Sequence, residues 1–251
     1  MSYPDLENYS YIKLKEMSEE MGLPIKRSKN DLVKQITKAF VEYEKYKKRK
    51  IDKYERKHQL GEKGKEGTTF LVTTKKGTEY AMKTFKKHKS SATLHKEAEL
   101  QKLAADMGIS PNVIDIDTVS KYIVMEKLDG HLVDLIKTQG YLTKDHQKQI
   151  ISIYKKLDKA GVFHGDANLL NYMYKNKKIY IIDFGMAKEI TNVLIRKLGT
   201  NTPNLDIMTL GLALKLRELK YPSSSYDYII TQLSEEQRVQ FGFKLKNNII
   251  H

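Results

Sequence analysis

The feature that most restricts the folds open to this chain lies between residues 164 and 185. His164-Gly165-Asp166-Ala167-Asn168-Leu169-Leu170-Asn171 is a polar stretch; after a hairpin comes the apolar run Ile179-Tyr180-Ile181-Ile182, closed by Asp183-Phe184-Gly185. A fold that uses these residues must bring one loop, carrying Asp166 and Asn171, beside the end of a buried strand, carrying Asp183. The three groups suit phosphoryl transfer from ATP, which needs a carboxylate to orient the acceptor and oxygen ligands to hold magnesium across the phosphates. Hard Mg²⁺ takes carboxylate and amide oxygen readily.

With 251 residues the chain can bury one sizeable core and leave room for a small appendage. Its 40% hydrophobic content, with 16 Tyr and 7 Phe, is that of a globular protein. No cysteine is present, which excludes disulfides, thiolate metal sites and a cysteine nucleophile and fits a reducing compartment. The start has no basic and apolar leader pattern, and no apolar run approaches the ~18 residues of a membrane span. The expectation is a soluble, intracellular protein, cytoplasmic or nuclear, with no membrane partner. A formal charge of +14 attracts polyanions but names none, since a Lys-rich surface also serves solubility.

Along the chain, Tyr9, Ile12, Leu14, Met17 and Met21 recur at helical spacing, and Gly22-Leu23-Pro24 stops the helix. Ser28 offers an N-cap with Asp31 as capping-box acid, and Leu32, Ile36, Ala39 and Phe40 stripe a second helix. This segment resembles a SAP-type motif in Leu14-Lys15-Glu16, Gly22-Leu23-Pro24, Lys29, Leu32 and Ile36. The resemblance implies DNA binding through Lys26, Arg27 and Lys29 at the start of the second helix; the alternative is a helical hairpin that only packs. We divide the chain into a SAP-like unit at 1–42, a basic linker helix at 43–58 with the Lys47–Lys50 run, and a main domain at 59–251.

Beyond residue 59 the texture becomes β-rich. Strands at 68–74 and 79–85 flank the turn Lys75-Lys76-Gly77-Thr78; 92–107 reads as a helix, 112–118 and 121–127 as strands, 131–161 as mostly helical and 178–183 as a strand. That order predicts an α+β protein of two unequal lobes.

His164 to Asn171 and Asp183-Phe184-Gly185 resemble the catalytic loop and metal motif of the protein-kinase superfamily. The resemblance implies a two-lobed kinase-like fold, with a small β-rich N-lobe and a reduced helical C-lobe behind the helical extension. It also implies ATP and Mg²⁺ as cofactors, Asp166 as catalytic residue, and Asn171 and Asp183 as metal ligands. Tyr80-Ala81-Met82-Lys83 matches the phosphate-gripping strand, so Lys83 is the phosphate lysine, with Glu97 as its helix partner and Glu99 as fallback. Gly61, Gly64 and Gly67 stand where a phosphate-covering loop lies, although Gly-x-x-Gly-x-x-Gly departs from the usual spacing. Met125, Glu126 and Leu128 fall at the interlobe hinge, with main-chain groups for adenine, and Asp206 matches the structural Asp that braces the catalytic loop.

The pattern also breaks. Gly165 and Asn168 replace the usual Arg and Lys, which removes a clamp for activation-loop phosphate and leaves γ-phosphate charge to Asn168 with metal or to another basic residue. No Ala-Pro-Glu follows Asp183. His-Gly-Asp and the small C-terminal part are most similar to the KEOPS-complex and RIO kinases. The resulting expectation is an atypical Ser/Thr protein kinase acting on an unidentified protein hydroxyl and fit to serve as a complex subunit. The alternatives are an ATPase subunit of a nucleic-acid-modifying assembly, a small-molecule phosphotransferase, or a catalytically silent scaffold.

Overall fold

The structure is a computed structural model that describes residues 5–51, 53–61, 64, 66–86 and 88–245. The chain divides into two compact units, one formed by the chain up to Glu55 with Thr73–Thr78, the other by Arg56–Val72 and the chain from Glu79 onward.

In the first unit, α1 (Tyr11–Glu20) starts where the Ser10 hydroxyl accepts from the Lys13 N–H, and ends at Gly22, whose φ of 66° suits glycine. α2 (Lys29–Ile51) begins at Ser28, whose Oγ accepts from the Asp31 N–H and donates to the Asp31 carboxylate. Leu14, Leu32 and Ile36 are fully buried against Leu6. The backbone of the Lys47–Lys50 run continues α2, and its side chains lie outside the described residues.

The expected linker helix at 43–58 is shorter than the sequence suggests: α2 stops at Ile51, and Tyr54–Leu60 is a strand, β1. β1 lies at the edge of a five-stranded sheet, which is why it carries charged residues on both faces; its Arg56 guanidinium covers the Phe70 ring at 4.3 Å. β2 (Gly67–Thr74) and β3 (Glu79–Phe85) follow, then α3 (Ser91–Asp106), β4 (Val113–Asp117) and β5 (Tyr122–Glu126). The sheet order is β1-β2-β3-β5-β4, with β5 antiparallel to both of its neighbours. Ala81, Phe85, Ile123 and Met125 from the sheet bury Leu94 and Ala98 of α3.

The remainder is mainly helical. The stretch expected to be one helical region splits into α4 (Leu132–Gln139) and α5 (Lys144–Lys159), because Gly140 takes a left-handed φ of 81° and Thr143 caps a new start. α4 follows the short strand β6 (Gly130–His131). After α5 come β7 (Val162–Phe163), the hairpin of β8 (Tyr172–Lys175) and β9 (Lys178–Ile181), and β10 (Lys188–Glu189) paired with β7. Then come α6 (Asn192–Leu198), a π-helical turn at Asn204–Met208 continued by α7 (Thr209–Glu218), and the short helices α8 (Asp227–Ile230) and α9 (Glu235–Gln240). One large apolar cluster joins α5, the β8–β9 hairpin, Phe184 and α7. The second unit is thus α+β, an antiparallel sheet with one helix followed by a helical part.

Candidate active site

Strand alternation places Ala81, Lys83 and Phe85 on the face of β3 that meets α3. Helical spacing puts Glu97 beside Leu94, Ala98 and Gln101 on the buried face of α3, where its side chain is 3% exposed. Lys83 Nζ therefore meets Glu97 Oε1 at 2.8 Å, and it also reaches Asp183 Oδ1 at 2.7 Å. Glu99, the fallback partner, faces outward and pairs with Lys102. Burial alone would depress the Lys83 ammonium, but Glu97 and Asp183 outweigh it and hold its pKa above the ordinary lysine value. For Asp183 burial pushes upward, and the Lys83 charge with hydrogen bonds from Lys83 and Gly185 overcomes it, so this carboxyl lies below the usual carboxylate range.

The catalytic-loop segment is fixed from both ends. His164 is fully buried, its Nε2 donates to the Ile182 carbonyl at 3.0 Å, and its ring meets Phe184 edge-on at 5.0 Å. Gly165 adopts φ 78°, a left-handed conformation in which the expected Arg would be strained. Asp166 Oδ1 accepts from the Asn168 N–H, and the Asn168 side chain caps the 3-10 turn Leu169–Asn171 by accepting from the Leu170 N–H. Asn171 is 7% exposed; its Nδ2 donates to the Asp166 carbonyl at 3.4 Å and its carbonyl accepts from Ile182 N–H at 2.9 Å. That last bond and the pairing of Tyr172 with Ile181 bring Asn171 next to the residue preceding Asp183.

The donor set fits a hard cation with phosphates. The Asn171 amide nitrogen is engaged by the Asp166 carbonyl, which leaves its neutral side-chain oxygen as the atom suited to such a cation. Asp183 spends only Oδ1 on Lys83 and Gly185 among the described residues. Asp183 also holds a left-handed φ of 66°, a strained backbone that Asp tolerates better than most residues and that clusters at functional sites.

Other expected residues fare differently. Gly67 is needed by the sheet itself, since a Cβ there would stand 2.0 Å from the Thr84 carbonyl oxygen. Gly61 has φ 68° and Gly64 is exposed, while Glu62, Lys63 and Lys65 lie outside the described residues. Met125 is buried in β5. The Glu126 N–H already donates to the Asn112 carbonyl and its carboxylate accepts from Lys175, so its main-chain N–H is not left to address a base. Leu128 is 7% exposed. Asp206 does not brace the catalytic loop: its carboxylate accepts from Thr200 and Thr202. The brace is Asn204, two residues earlier. Its Oδ1 accepts the His164 N–H, and its Nδ2 donates to Asp158 Oδ1 and to the Val162 carbonyl, both at 2.7 Å. The π-helical turn rotates Asn204 inward and leaves Asp206 at its rim.

Sequence reading also missed Lys89 and Glu66. Lys89 pairs with Glu97 Oε2, and with Glu66 Oε2 at 2.6 Å. In the first unit, Lys26 and Arg27 are exposed, whereas Lys29 donates to the Glu7 carbonyl at 2.8 Å.

The family model described as protein kinase domain matches residues 54–203. The chain is 33% identical over 91 residues to a probable serine/threonine-protein kinase BUD32 homolog of Archaeoglobus fulgidus, a match covering 36% of this chain and 44% of that protein. It is 30% identical over 101 residues to the KEOPS complex subunit Bud32 of Pyrococcus abyssi, covering 37% and 44%. Over 160 residues it is 30% identical to a probable bifunctional tRNA threonylcarbamoyladenosine biosynthesis protein of Methanocorpusculum labreanum, covering 58% and 29%. The chain thus spans less than half the length of each of these relatives. Because the kinase model takes in more than half of the chain and the matched span contains Lys83, Glu97, Asp166, Asn171 and Asp183, this chain belongs to the protein kinase family.

Proposed function

We propose that the chain is an ATP- and Mg²⁺-dependent phosphotransferase, an atypical Ser/Thr protein kinase that moves the γ-phosphate to a protein hydroxyl. The observation that carries this reading is Lys83 bridging Glu97 and Asp183, a buried cation fixed between sheet and helical part. Bound Mg²⁺-ATP supplies the phosphoryl group and offsets its own oxygen charge. Lys83 holds phosphate oxygens, and Glu97 keeps Lys83 from swinging away. Asp183 and Asn171 hold the metal. Asp166, on the same loop as Asn171 and hydrogen-bonded to it, orients the acceptor hydroxyl and takes its proton.

The test is transfer of radiolabelled γ-phosphate by purified protein with Mg²⁺ and a generic basic protein. Label on protein that falls by at least about a hundredfold in Asp183→Ala, the scale of losing one preorganised charge-stabilising group, supports the kinase. Label that survives in Asp183→Ala sinks the assignment.

A second reading is an ATPase subunit of a nucleic-acid-modifying assembly. It is favoured by the likeness to the Bud32 KEOPS subunit and to the tRNA-biosynthesis protein, and its signature in the same assay is free phosphate without labelled protein. The helical unit adds a proposed DNA contact through Lys26 and Arg27, with Lys29 joining them by releasing Glu7.

A further inference from the structure

Lys89 is 8% exposed, yet it lies on the connection between β3 and α3 and not inside either element. Its ammonium touches Glu97 Oε2 and Glu66 Oε2 and lies 4.5 Å from the centre of the Phe85 ring. The other oxygen of Glu97 takes Lys83, and Phe85 lies 5.0 Å beneath that lysine too. One carboxylate is therefore shared by two ammonium groups over one ring. A buried ammonium is costly unless each is compensated, so each lysine needs a further anion. Lys83 finds Asp183, and Lys89 finds Glu66.

The two outer anions are about equally exposed, 51% for the Asp183 side chain and 49% for Glu66, which belongs to the glycine-rich segment ahead of β2. They differ in their other partners: Asp183 also accepts from the Gly185 N–H, whereas among the described residues the Glu66 carboxylate accepts from Lys89 alone. Its carboxylate nevertheless sits in the centre of the site: oxygens of Glu66, Glu97 and Asp183 lie within 4.8 Å of one another, and a Cβ on Gly185 would stand 2.7 Å from Glu66 Oε2. A half-exposed acid thus occupies a position among two buried lysines and the metal-side aspartate. A phosphate oxygen presents the same charge and the same acceptor geometry to a lysine. Glu66 can return to water at little cost, whereas Lys89, once buried, needs an anion in its place. The loop from His164 to Asn171 contains no Lys or Arg, so a nucleotide's phosphate charge must be met from elsewhere.

We propose that Lys89 is a second phosphate-binding lysine of this site, and that Glu66 stands in for a nucleotide phosphate in the free protein. The proposal rests on the nucleotide-binding reading of the site. On phosphate arrival the Lys89–Glu66 pair exchanges for a Lys89–phosphate pair, the Lys89–Glu97 contact persists, and Glu66 swings outward.

The experiment is calorimetric binding of adenosine, ADP and ATP, with Mg²⁺, to the full chain and to Lys89→Met, Lys89→Arg and Glu66→Gln. Expected for Lys89→Met is a Kd for ADP and ATP raised about tenfold, the loss of one charge-assisted hydrogen bond, with adenosine unchanged and Lys89→Arg near the parent value. Glu66→Gln removes the competing anion and lowers the Kd for ATP severalfold without altering adenosine. Equal weakening of adenosine and ATP in Lys89→Met would show that Lys89 only positions α3, and it would overturn the proposal, as would unchanged ATP binding. Should Lys89→Met fail to fold, Glu66→Gln decides alone: tighter ATP supports the exchange, and unchanged or weaker ATP overturns it. A parent protein that binds none of the three ligands overturns the nucleotide reading itself, a result distinct from a parent that binds ATP and variants that match it.

Discussion

At the scale of single residues, the site is a set of opposed pulls. Burial drives Lys83 toward neutrality and Asp183 toward protonation; Glu97 with Asp183 reverses the first, and Lys83 chiefly reverses the second. His164 has less compensation. Burial holds its pKa below the ordinary histidine value, and the carbonyls of Ile182 and Asp166 with the carboxylates of Asp166 and Asp183 offset this only in part. Its folded-state pKa is therefore below its unfolded value of about 6.5, so the unfolded chain binds the proton more readily. The stability that neutral His164 contributes is complete above that value and is lost as the pH falls through the folded pKa. His146, depressed chiefly by burial, acts in the same direction. Melting temperatures taken from pH 7.5 down to 5.5 are expected to fall, and His164→Gln, which keeps a donor for Ile182 without titrating, should flatten that decline; an equally steep curve in the variant refutes the assignment. The nearness of Lys83 to Glu97 and Asp183, and of Asp166 to Asn171, was legible in the sequence because their spacing is local or bound to a strand end. Lys89 and Asn204 were not, because their partners lie far along the chain or across a loop: the Asn204 contacts with Asp158 and His164 span 46 and 40 residues.

At the scale of elements, hydrophobic period and capping residues anticipated α1, α3, the start of α2 and the β2–β3 hairpin within a residue or two, but not the end of α2. β1 was hidden because an edge strand need not alternate: its pattern is almost uniformly exposed, and no Gly or Pro marks the break after Ile51. The π-helical turn was hidden for a different reason, since it depends on Asp158 of α5 receiving the N–H groups of Asn204 and Leu205, both at 2.9 Å. This joint between α5, β7 and the turn explains how a shortened C-terminal part still holds its catalytic loop. Asn204→Ala leaves the His164 N–H without its acceptor in a buried setting, a cost of about 1–3 kcal/mol. In a domain of this size that corresponds to roughly 2–12 °C in thermal midpoint, readable by calorimetry. Asn204→Asp keeps the acceptor but sets a second carboxylate beside Asp158, so it should not recover the loss at neutral pH; full recovery would show that the Asp158 contact is dispensable.

At the scale of the whole molecule, the charge of +14 gives the surface a general attraction for polyanions, so weak nucleic-acid binding alone would say nothing about the helical unit. The salt dependence is the sharper measure. Replacing Lys26, Arg27 and Lys29 together by Ala should lower the slope of log K against log salt for duplex DNA by about 2–3, as three lost phosphate contacts require; an unchanged slope rules out a DNA role for these residues. Stability is also distributed unevenly. Phe184 on one side and Asn204 on the other are anchored in the large apolar cluster or its polar joint, yet α6 between them buries no residue at all. It starts at the Thr191 cap and ends at the left-handed Gly199, with Leu194, Ile195 and Leu198 half-buried between them. Such a helix can melt without drawing the core with it, because little contact energy is lost and chain entropy is regained. The stretch from 192 to 198 is therefore a replaceable panel in the chain: it can be reshaped for a small conformational toll, while Phe184 before it and Asn204 after it stay where they are.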